Sequence, residues 1–402
     1  MKIIKVLELF AGYGSQALAL ENLGLEFTSD ISEIDKYAIE AYNQIHGQTK
    51  NYGDICNIDE AELTEYDLVT YSSPCQDFSL AGKMRGGEKG SGTRSSLLWE
   101  CERIIRAVKP KYLLMENVKN LVGKKFMPCF KAWLLTLEGM GYNNYWKVLN
   151  AKDYGVPQNR ERVFVVSIRK DFNQTYMFPE PMPLKIHLKD VLETEVDEKF
   201  YLSEAFLKYM KQKEEKNYNF RVEVSDENGI RKTPIRGQGD KAVIKIKANT
   251  KKGYDIAKEG DTINIEQPKS TTRRGRIGKG KAQTLTTSCN QVVVEIGVGH
   301  NPVSKKFEFD GFHDDKECPT LLATDYKAPK CYSDGIRIRK LTPRECWRLM
   351  GVRDEQFDRL HGISKTQLYK MAGNSIVVDV LMAIFKNLLV SDKETKGQLE
   401  LL

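Results

Sequence analysis

The 402-residue chain is 41% hydrophobic and 29% charged, with 30 Gly and 13 Pro, a globular balance that excludes collagenous, low-complexity and largely disordered classes. Eight cysteines without a Cys-x-x-Cys pair and five scattered histidines give neither a disulfide framework nor a zinc site, and charges at Lys2, Lys5 and Glu8 break the apolar N-terminal stretch, so the chain reads as soluble and unexported. The net charge of +7 is local: residues 241–281 carry 12 Lys/Arg against 4 Asp/Glu, a surplus of 8, which leaves the rest of the chain at −1.

In chain order, the first ~170 residues read as strands alternating with amphipathic helices. Strands are expected over 2–10, 25–30, 67–72, 112–115, 146–149 and 163–168, and helices over 15–22, 35–46 and 95–108, the last ending before Pro110. Such alternation predicts a mostly parallel sheet with helices on both faces and ligands at the C-terminal ends of the strands. After Phe178-Pro179-Glu180-Pro181-Met182-Pro183 the pattern changes to short β-rich pieces, among them 242–246 and 292–296. Helical character returns at 343–350 and 375–390, the latter apolar enough to pack back onto the first domain.

The polar residues fall at strand ends. Phe10-Ala11-Gly12-Tyr13-Gly14-Ser15 follows the first strand; glycines there permit a tight turn or a close backbone approach to a ligand. Glu33-Ile34-Asp35 follows the second strand, placed either to bind ribose hydroxyls or to begin the next helix. Gly53-Asp54-Ile55 supplies a third polar turn, whose acid could accept from an adenine amino group. The fourth, Ser72-Ser73-Pro74-Cys75-Gln76, sets Cys75 where a thiolate could attack a ligand, though a buried inert cysteine has the same local sequence. One strand further, Glu116-Asn117 brings a carboxyl group beside it, and Gln158-Asn159-Arg160-Glu161-Arg162 adds two arginines at spacing two. The basic run closes on Thr271-Thr272-Arg273-Arg274-Gly275-Arg276-Ile277-Gly278-Lys279-Gly280-Lys281, which is either a solvated loop or one that follows a phosphate backbone.

Six motifs in order resemble the S-adenosylmethionine-dependent cytosine-C5 DNA methyltransferases of bacterial and phage type, over nearly the whole chain. They are Phe10-x-Gly12-x-Gly14, Pro74-Cys75-Gln76, Glu116-Asn117-Val118, Gln158-x-Arg160-x-Arg162, Arg339-Lys340-Leu341-Thr342-Pro343-Arg344-Glu345-Cys346 and Gly373-Asn374-Ser375. The chain departs from the family at Ala81-Gly82-Lys83, where members often carry a serine.

The resemblance implies a Rossmann-like class I α/β catalytic domain over 1–190, completed by 366–402. A smaller β-rich target-recognition domain would span 191–338, and a hinge segment 339–365. It implies Cys75 as nucleophile, with Glu116, Arg162, Asn117 and Arg160 around the base. S-adenosylmethionine, with no metal, would lie against Phe10, Ala11, Gly12, Gly14, Ser15, Glu33, Ile34, Asp54, Ile55, Pro74, Leu97, Asn374 and Ser375. DNA contacts would come from Arg273, Arg274, Arg276, Lys279, Thr284 and Leu285, with Thr320-Leu321 as a competing copy of the Thr-Leu pair. The implied partner is double-stranded DNA, with no membrane, a monomeric state, a cytoplasmic location in a bacterial or phage-infected cell, and a restriction endonuclease paired in function without a stable complex. Two rivals remain: the same chemistry on RNA, and an inactive DNA-binding relative. The ~150-residue insert disfavours the first and the presence of Cys75, Glu116 and Arg162 the second.

Overall fold

The computed structural model describes residues 3–73, 97–201, 220–223, 243–247, 254–258, 260–264, 276–287, 291–296 and 336–390. The chain divides into two compact units, one of residues 1–186, 286–288 and 343–402 and the other of 187–285 and 289–342.

The first unit is an α/β sandwich about a six-stranded sheet. Its strands are β1 (Ile4–Leu9), β2 (Phe27–Ser32), β3 (Leu68–Tyr71), β4 (Tyr112–Val118), β5 (Tyr142–Asn150) and, after the short β6 (Gln158–Asn159), β7 (Glu161–Arg169). They lie in the order β2-β1-β3-β4-β7-β5. β1 pairs in parallel with β2 and β3, and β3 with β4. Strands covered on both faces should be mostly apolar, and Val6 to Leu9 and Leu68 to Tyr71 are buried throughout, with Glu8 and Thr70 the polar exceptions. β7 instead runs antiparallel to both β4 and β5. The segment 151–160 between β5 and β7 contains no α-helix that could return the chain across the sheet, and without such a crossover neighbouring strands must reverse.

Helices α1 (Ser15–Asn22), α2 (Lys36–His46), α3 (Leu98–Val108) and α4 (Met127–Gly139) connect the strands. α2 starts where Asp35 accepts the Tyr37 and Ala38 amides, and it buries Ala38, Ala41, Tyr42 and Ile45, a single helical stripe. α3 buries Leu98, Cys101, Ile104 and Ile105 and stops at Lys109, in left-handed conformation before Pro110. On one face of the sheet Leu7, Leu9, Val69, Tyr71, Leu113 and Met115 form a core with α3 and α4; on the other, Ala11, Ala17, Ile31 and Tyr42 cluster. The C-terminal part adds α5 (Pro343–Arg348), α6 (Asp354–Phe357), α7 (Lys365–Asn374) and α8 (Val378–Leu389). The stretch Lys365–Leu389 is apolar and long enough to cross a membrane, yet its apolar residues are largely buried, and α8 packs on α1.

In the second unit, β8 (Phe220–Glu223), β9 (Val243–Lys247) and β10 (Tyr254–Ala257) form one antiparallel sheet in the order β10-β9-β8. A second antiparallel sheet has the order β12-β11-β14-β15, from β11 (Thr262–Asn264), β12 (Ile277–Gly278), β14 (Gln291–Ile296) and β15 (Ile336–Lys340); the short β13 (Ala282–Gln283) is not one of its strands. Ile246, Ala257, Ile263, Ala282, Leu285 and Val292 to Val294 supply buried apolar side chains.

Candidate functional site

The loops after β1 and β2 form one lip of the site. Phe10, Gly12 and Gly14 all have positive φ, of 58°, 60° and 84°, so the chain coils tightly before α1 begins. The Phe10 amide donates to the Ser32 carbonyl at 2.8 Å, which ties this turn to the end of β2. A Cβ on Gly14 would lie 2.5 Å from His46 Nε2 and 2.6 Å from Tyr42 Cε2, so α2 fills the space beneath the turn and only glycine fits. His46 Nε2 lies 3.2 Å from the Tyr13 carbonyl. Burial pushes the His46 imidazole down to about 4, so it stays neutral and its N–H donates to that oxygen.

Glu33 links the turns. One carboxylate oxygen accepts the Gly12 amide at 2.9 Å, and the other accepts the amides of Ile34 and Asp35 at 2.8 Å each. Asn51 Oδ1 accepts the amides of Glu33 and Gly53, and the Ser32 hydroxyl donates to the Gly53 carbonyl. Asp54 then caps the next turn by accepting the Cys56 amide at 3.0 Å. Gly12, Glu33 and Asp54 are thus joined along one edge. Beside Glu33 the Ile34 side chain is 71% exposed, an apolar surface next to polar acceptors. Ala11 and Ser15 are buried in the turn, Ile55 is in the core, and Leu97 is the N-cap of α3.

The second lip is built by β4 and β7. In their antiparallel register Val118 lies opposite Arg162, so Arg162 and Glu116 share a face and the arginine reaches diagonally to the carboxylate, Nε to Oε1 at 3.0 Å. Glu116 is 8% exposed. Burial pushes its carboxyl up, against the charges of Arg162 and then Arg160, and the net displacement is upward. Asn117 Nδ2 donates to the Ser73 carbonyl at 3.3 Å, across from β4 to the end of β3.

Arg160 lies between β6 and β7 and donates to the carbonyls of Gly373 and Ser375 at 3.1 and 2.6 Å. It thereby holds the end of α7 in place, beside Gln158, whose side-chain amide donates to the Leu349 carbonyl at 2.6 Å. The Ser375 hydroxyl donates to Tyr13 OH at 2.9 Å, and the Tyr13 ring stacks on Trp347 at 4.3 Å between centroids. Asn374 is exposed at the end of α7.

The structure therefore brings together Phe10, Ala11, Gly12, Gly14, Ser15, Glu33, Ile34, Asp54 and Ser375 on one side and Glu116, Asn117, Arg160 and Arg162 on the other. Pro74, Cys75, Arg273, Arg274, Thr320 and Leu321 lie outside the described residues, as does 81–83. In the second unit Arg276 is exposed, while Lys279 faces Asp255, Asp261 and the Ile256 carbonyl. The Thr284 carbonyl accepts from Gln291, and Leu285 is 2% exposed. Sequence reasoning did not single out Tyr13, Trp347 or His46. The contacts that bring them to the site, His46 to Tyr13, Tyr13 to Ser375 and Tyr13 to Trp347, join residues far apart in the chain, and the local trace was an aromatic inside the glycine turn.

The profile described as "C-5 cytosine-specific DNA methylase" matches residues 4–390. The chain is 36% identical over 445 residues to the type II methyltransferase M2.ScrFI of Lactococcus lactis subsp. cremoris, covering 97% of this chain and 100% of that protein. It is 30% identical to the type II methyltransferase M.HhaI of Haemophilus parahaemolyticus, covering 96% of this chain and 94% of that one. Among solved structures, the Entamoeba histolytica methyltransferase EhMeth superposes with a TM-score of 0.61 at 16% identity, over 97% of this chain and 99% of that chain, a likeness of fold.

Proposed function

Because the chain belongs to the family of C-5 cytosine-specific DNA methylases, we propose that it methylates C5 of a cytosine turned out of a short duplex sequence, with S-adenosylmethionine as donor and Cys75 as nucleophile. The observation that carries this reading is the second lip. Glu116 is buried and paired with Arg162 at 3.0 Å, and Asn117 holds the Ser73 carbonyl two residues before Cys75.

The chemistry follows from what cytosine lacks. C5 is too weak a nucleophile to take a methyl group unaided, so the Cys75 thiolate first adds to C6 and turns C5 into the carbon of an enamine. Charge that develops on the ring is met by a proton from Glu116 to N3, a role suited to a carboxyl whose burial favours the protonated form. Arg162 fixes Glu116, Asn117 fixes the Ser73 carbonyl, and Arg160 fixes the 373–375 segment. After methylation, loss of the C5 proton to a base expels the thiolate and restores the aromatic ring. A free thiol is mostly protonated at neutral pH, so attack requires its deprotonation.

The first lip fits the donor. Glu33, held by three backbone amides, keeps lone pairs for ribose hydroxyls; Asp54 stands at the next turn; and exposed Ile34 with half-buried Phe10 offers apolar surface to a purine. When bound there, the donor supplies an electrophilic sulfonium methyl group. Gly12, Gly14, Ala11, Ser15, Ile55, Pro74, Leu97, Asn374 and Ser375 complete our assignment.

We assign target recognition to residues 191–338, with 339–365 as hinge and 366–402 completing the catalytic domain. Turning a base out costs a few kcal/mol, to be offset by phosphate and groove contacts. Arg273, Arg274, Arg276, Lys279, Thr284 and Leu285 are the residues assigned to them. The protein acts in this reading as a monomer in the cytoplasm of a bacterial or phage-infected cell, with any paired endonuclease acting separately.

A duplex carrying 5-fluorocytosine at the target tests the covalent step, since fluorine replaces the C5 proton whose loss would expel the thiolate and cannot itself be removed by a base. Wild type with S-adenosylmethionine should form an adduct that survives denaturation, and Cys75→Ser should form none. An adduct retained in Cys75→Ser would overturn the nucleophile assignment.

A further inference from the structure

The Arg103 side chain reaches out of helix α3 to the turn that follows Asp54. Nη2 donates to the Ile55 carbonyl and Nη1 to the Ile58 carbonyl, both at 2.7 Å. Nη1 also meets Glu60 Oε1 at 2.8 Å, and Nε meets Glu100 Oε2 at 3.4 Å on the same helix. The fork thus takes hold of the main chain of 55–58 from both ends. Ile55 and Ile58 themselves enter the core beside Leu98, Cys101, Ile104 and Ile105, so the turn that follows Asp54 is moulded on α3 by apolar contact below and by a guanidinium at the rim.

We propose that Arg103 is a positioning residue for the adenine side of the donor pocket, holding the Asp54-Ile55 turn against α3. The inference deepens the assignment of Asp54, Ile55 and Leu97 to S-adenosylmethionine and rests on it. Leu97 and Arg103 stand on one helix six residues apart, so the same rigid element carries one wall of the pocket and grips the other. The geometry needs arginine. Two carbonyls three residues apart and a carboxylate are met at once by a planar group with five donors, whereas an ammonium can satisfy them only by turns. Removal of the fork leaves Asp54's cap on the Cys56 amide and the two buried isoleucines in place, so the turn should persist while its carbonyls turn to water and its acid drifts from register.

Calorimetric binding of S-adenosylhomocysteine to the full chain, together with steady-state kinetics in S-adenosylmethionine, tests this. Arg103→Gln and Arg103→Lys should both weaken binding about tenfold and raise the donor KM in step, with kcat at saturation within about twofold of wild type. Arg106→Gln, which removes an exposed pair with Glu102 one turn away, should bind as wild type, and so should Glu60→Gln, which leaves both carbonyl bonds. A purely structural role would lower thermal stability and active fraction with no change in KM, and that result overturns the proposal, as does wild-type affinity in either Arg103 variant. Should Arg103→Gln fail to fold, Arg103→Lys decides alone. Wild type that binds no S-adenosylhomocysteine would instead bring down the donor assignment itself.

Discussion

Glu116 and Arg162 in the first unit have side chains only 10% and 16% exposed, whereas in the second unit Lys279 is 54% exposed and shares its charge between Asp255 and Asp261. Both are close contacts between opposite charges, yet they do different work. Out of water, the Glu116 carboxyl is pushed up by burial against the charges of Arg162 and Arg160; in water, the exposed Lys279–Asp255 pair is screened by salt and worth roughly 0–1 kcal/mol. The comparison separates chemistry from recognition. Glu116 and Arg162 are fixed by two paired strands, where a small displacement matters, while Arg276 and Lys279 stand exposed, where charge acts mainly by summation.

The largest effect expected from that contrast is at Glu116. Glu116→Gln keeps the shape and a neutral partner for Arg162 but has no proton to give, so kcat should fall about 10²–10⁴-fold while S-adenosylhomocysteine binding persists. Wild-type turnover would remove the carboxyl group from the mechanism. Next come the turns. Gly14→Ala combines a φ of 84° with a Cβ 2.5 Å from His46, and should cost about 2–4 kcal/mol of stability in denaturant titration, with weakened donor binding. Gly260→Ala in the second unit meets open space at φ 75° and should cost only about 1–2 kcal/mol, the conformational strain alone. Equal losses at the two positions would mean that α2 does not mould the turn.

A third test uses two buried groups beneath the glycine turn. Burial raises the Glu8 carboxyl to about 7, against hydrogen bonds from Ser29 and Tyr42, and lowers the His46 imidazole to about 4. The folded chain binds Glu8's proton more tightly than the unfolded chain does. That contribution is complete below pH 4.5 and is lost as pH rises through about 7. His46 has the opposite sign: its contribution is complete above pH 6.5 and is lost as pH falls through about 4. Between those limits the two slopes oppose each other, each at most about 1.4 kcal/mol per pH unit. Relative to wild type, Glu8→Gln should show stability rising more steeply from pH 4.5 to 6.5, and His46→Gln stability falling more steeply, read from urea midpoints at each pH. Parallel curves for all three proteins would contradict the buried placement of both groups.

The smallest effects belong to single surface cations. Arg276→Ala should weaken DNA binding and reduce the salt slope by about 0.9, the release of one counterion, whereas Lys279→Ala should change it less because its charge is already met by two aspartates. A slope unchanged in Arg276→Ala and in a combined 273–281 variant would return that loop to ordinary solvated surface.

Much of the first unit was legible in the sequence because its signals are local. The helix over 15–22 coincides with α1, and the glycines before it mark a turn whose φ values demand them. The strand expected over 25–30 is instead Phe27–Ser32, since its pairing with β1 begins at Phe27, a matter of neighbours. α4 went unnoticed although Pro128 at its first turn and buried Phe130, Trp133 and Leu137 carry a helical signature. α7 buries only Met371 and Ala372 and has no stripe to read. The site divides in the same way. Glu116 and Asn117 sit at a strand end, after the apolar run before them, and Arg162 lies diagonally across from Glu116 on β7, opposite Val118. Arg160, by contrast, could be read only as a companion of Arg162 at spacing two. Its actual partners, the carbonyls of Gly373 and Ser375, stand more than 210 residues further along and leave no trace in the local pattern.

The most direct test of the account is base-resolution 5-methylcytosine mapping of DNA from a methylation-free bacterial host expressing this protein, beside the Cys75→Ser variant. Wild type should modify one short sequence at a single cytosine, and the variant should leave it bare. Unmodified DNA from folded wild-type protein, or modification that survives Cys75→Ser, would contradict it.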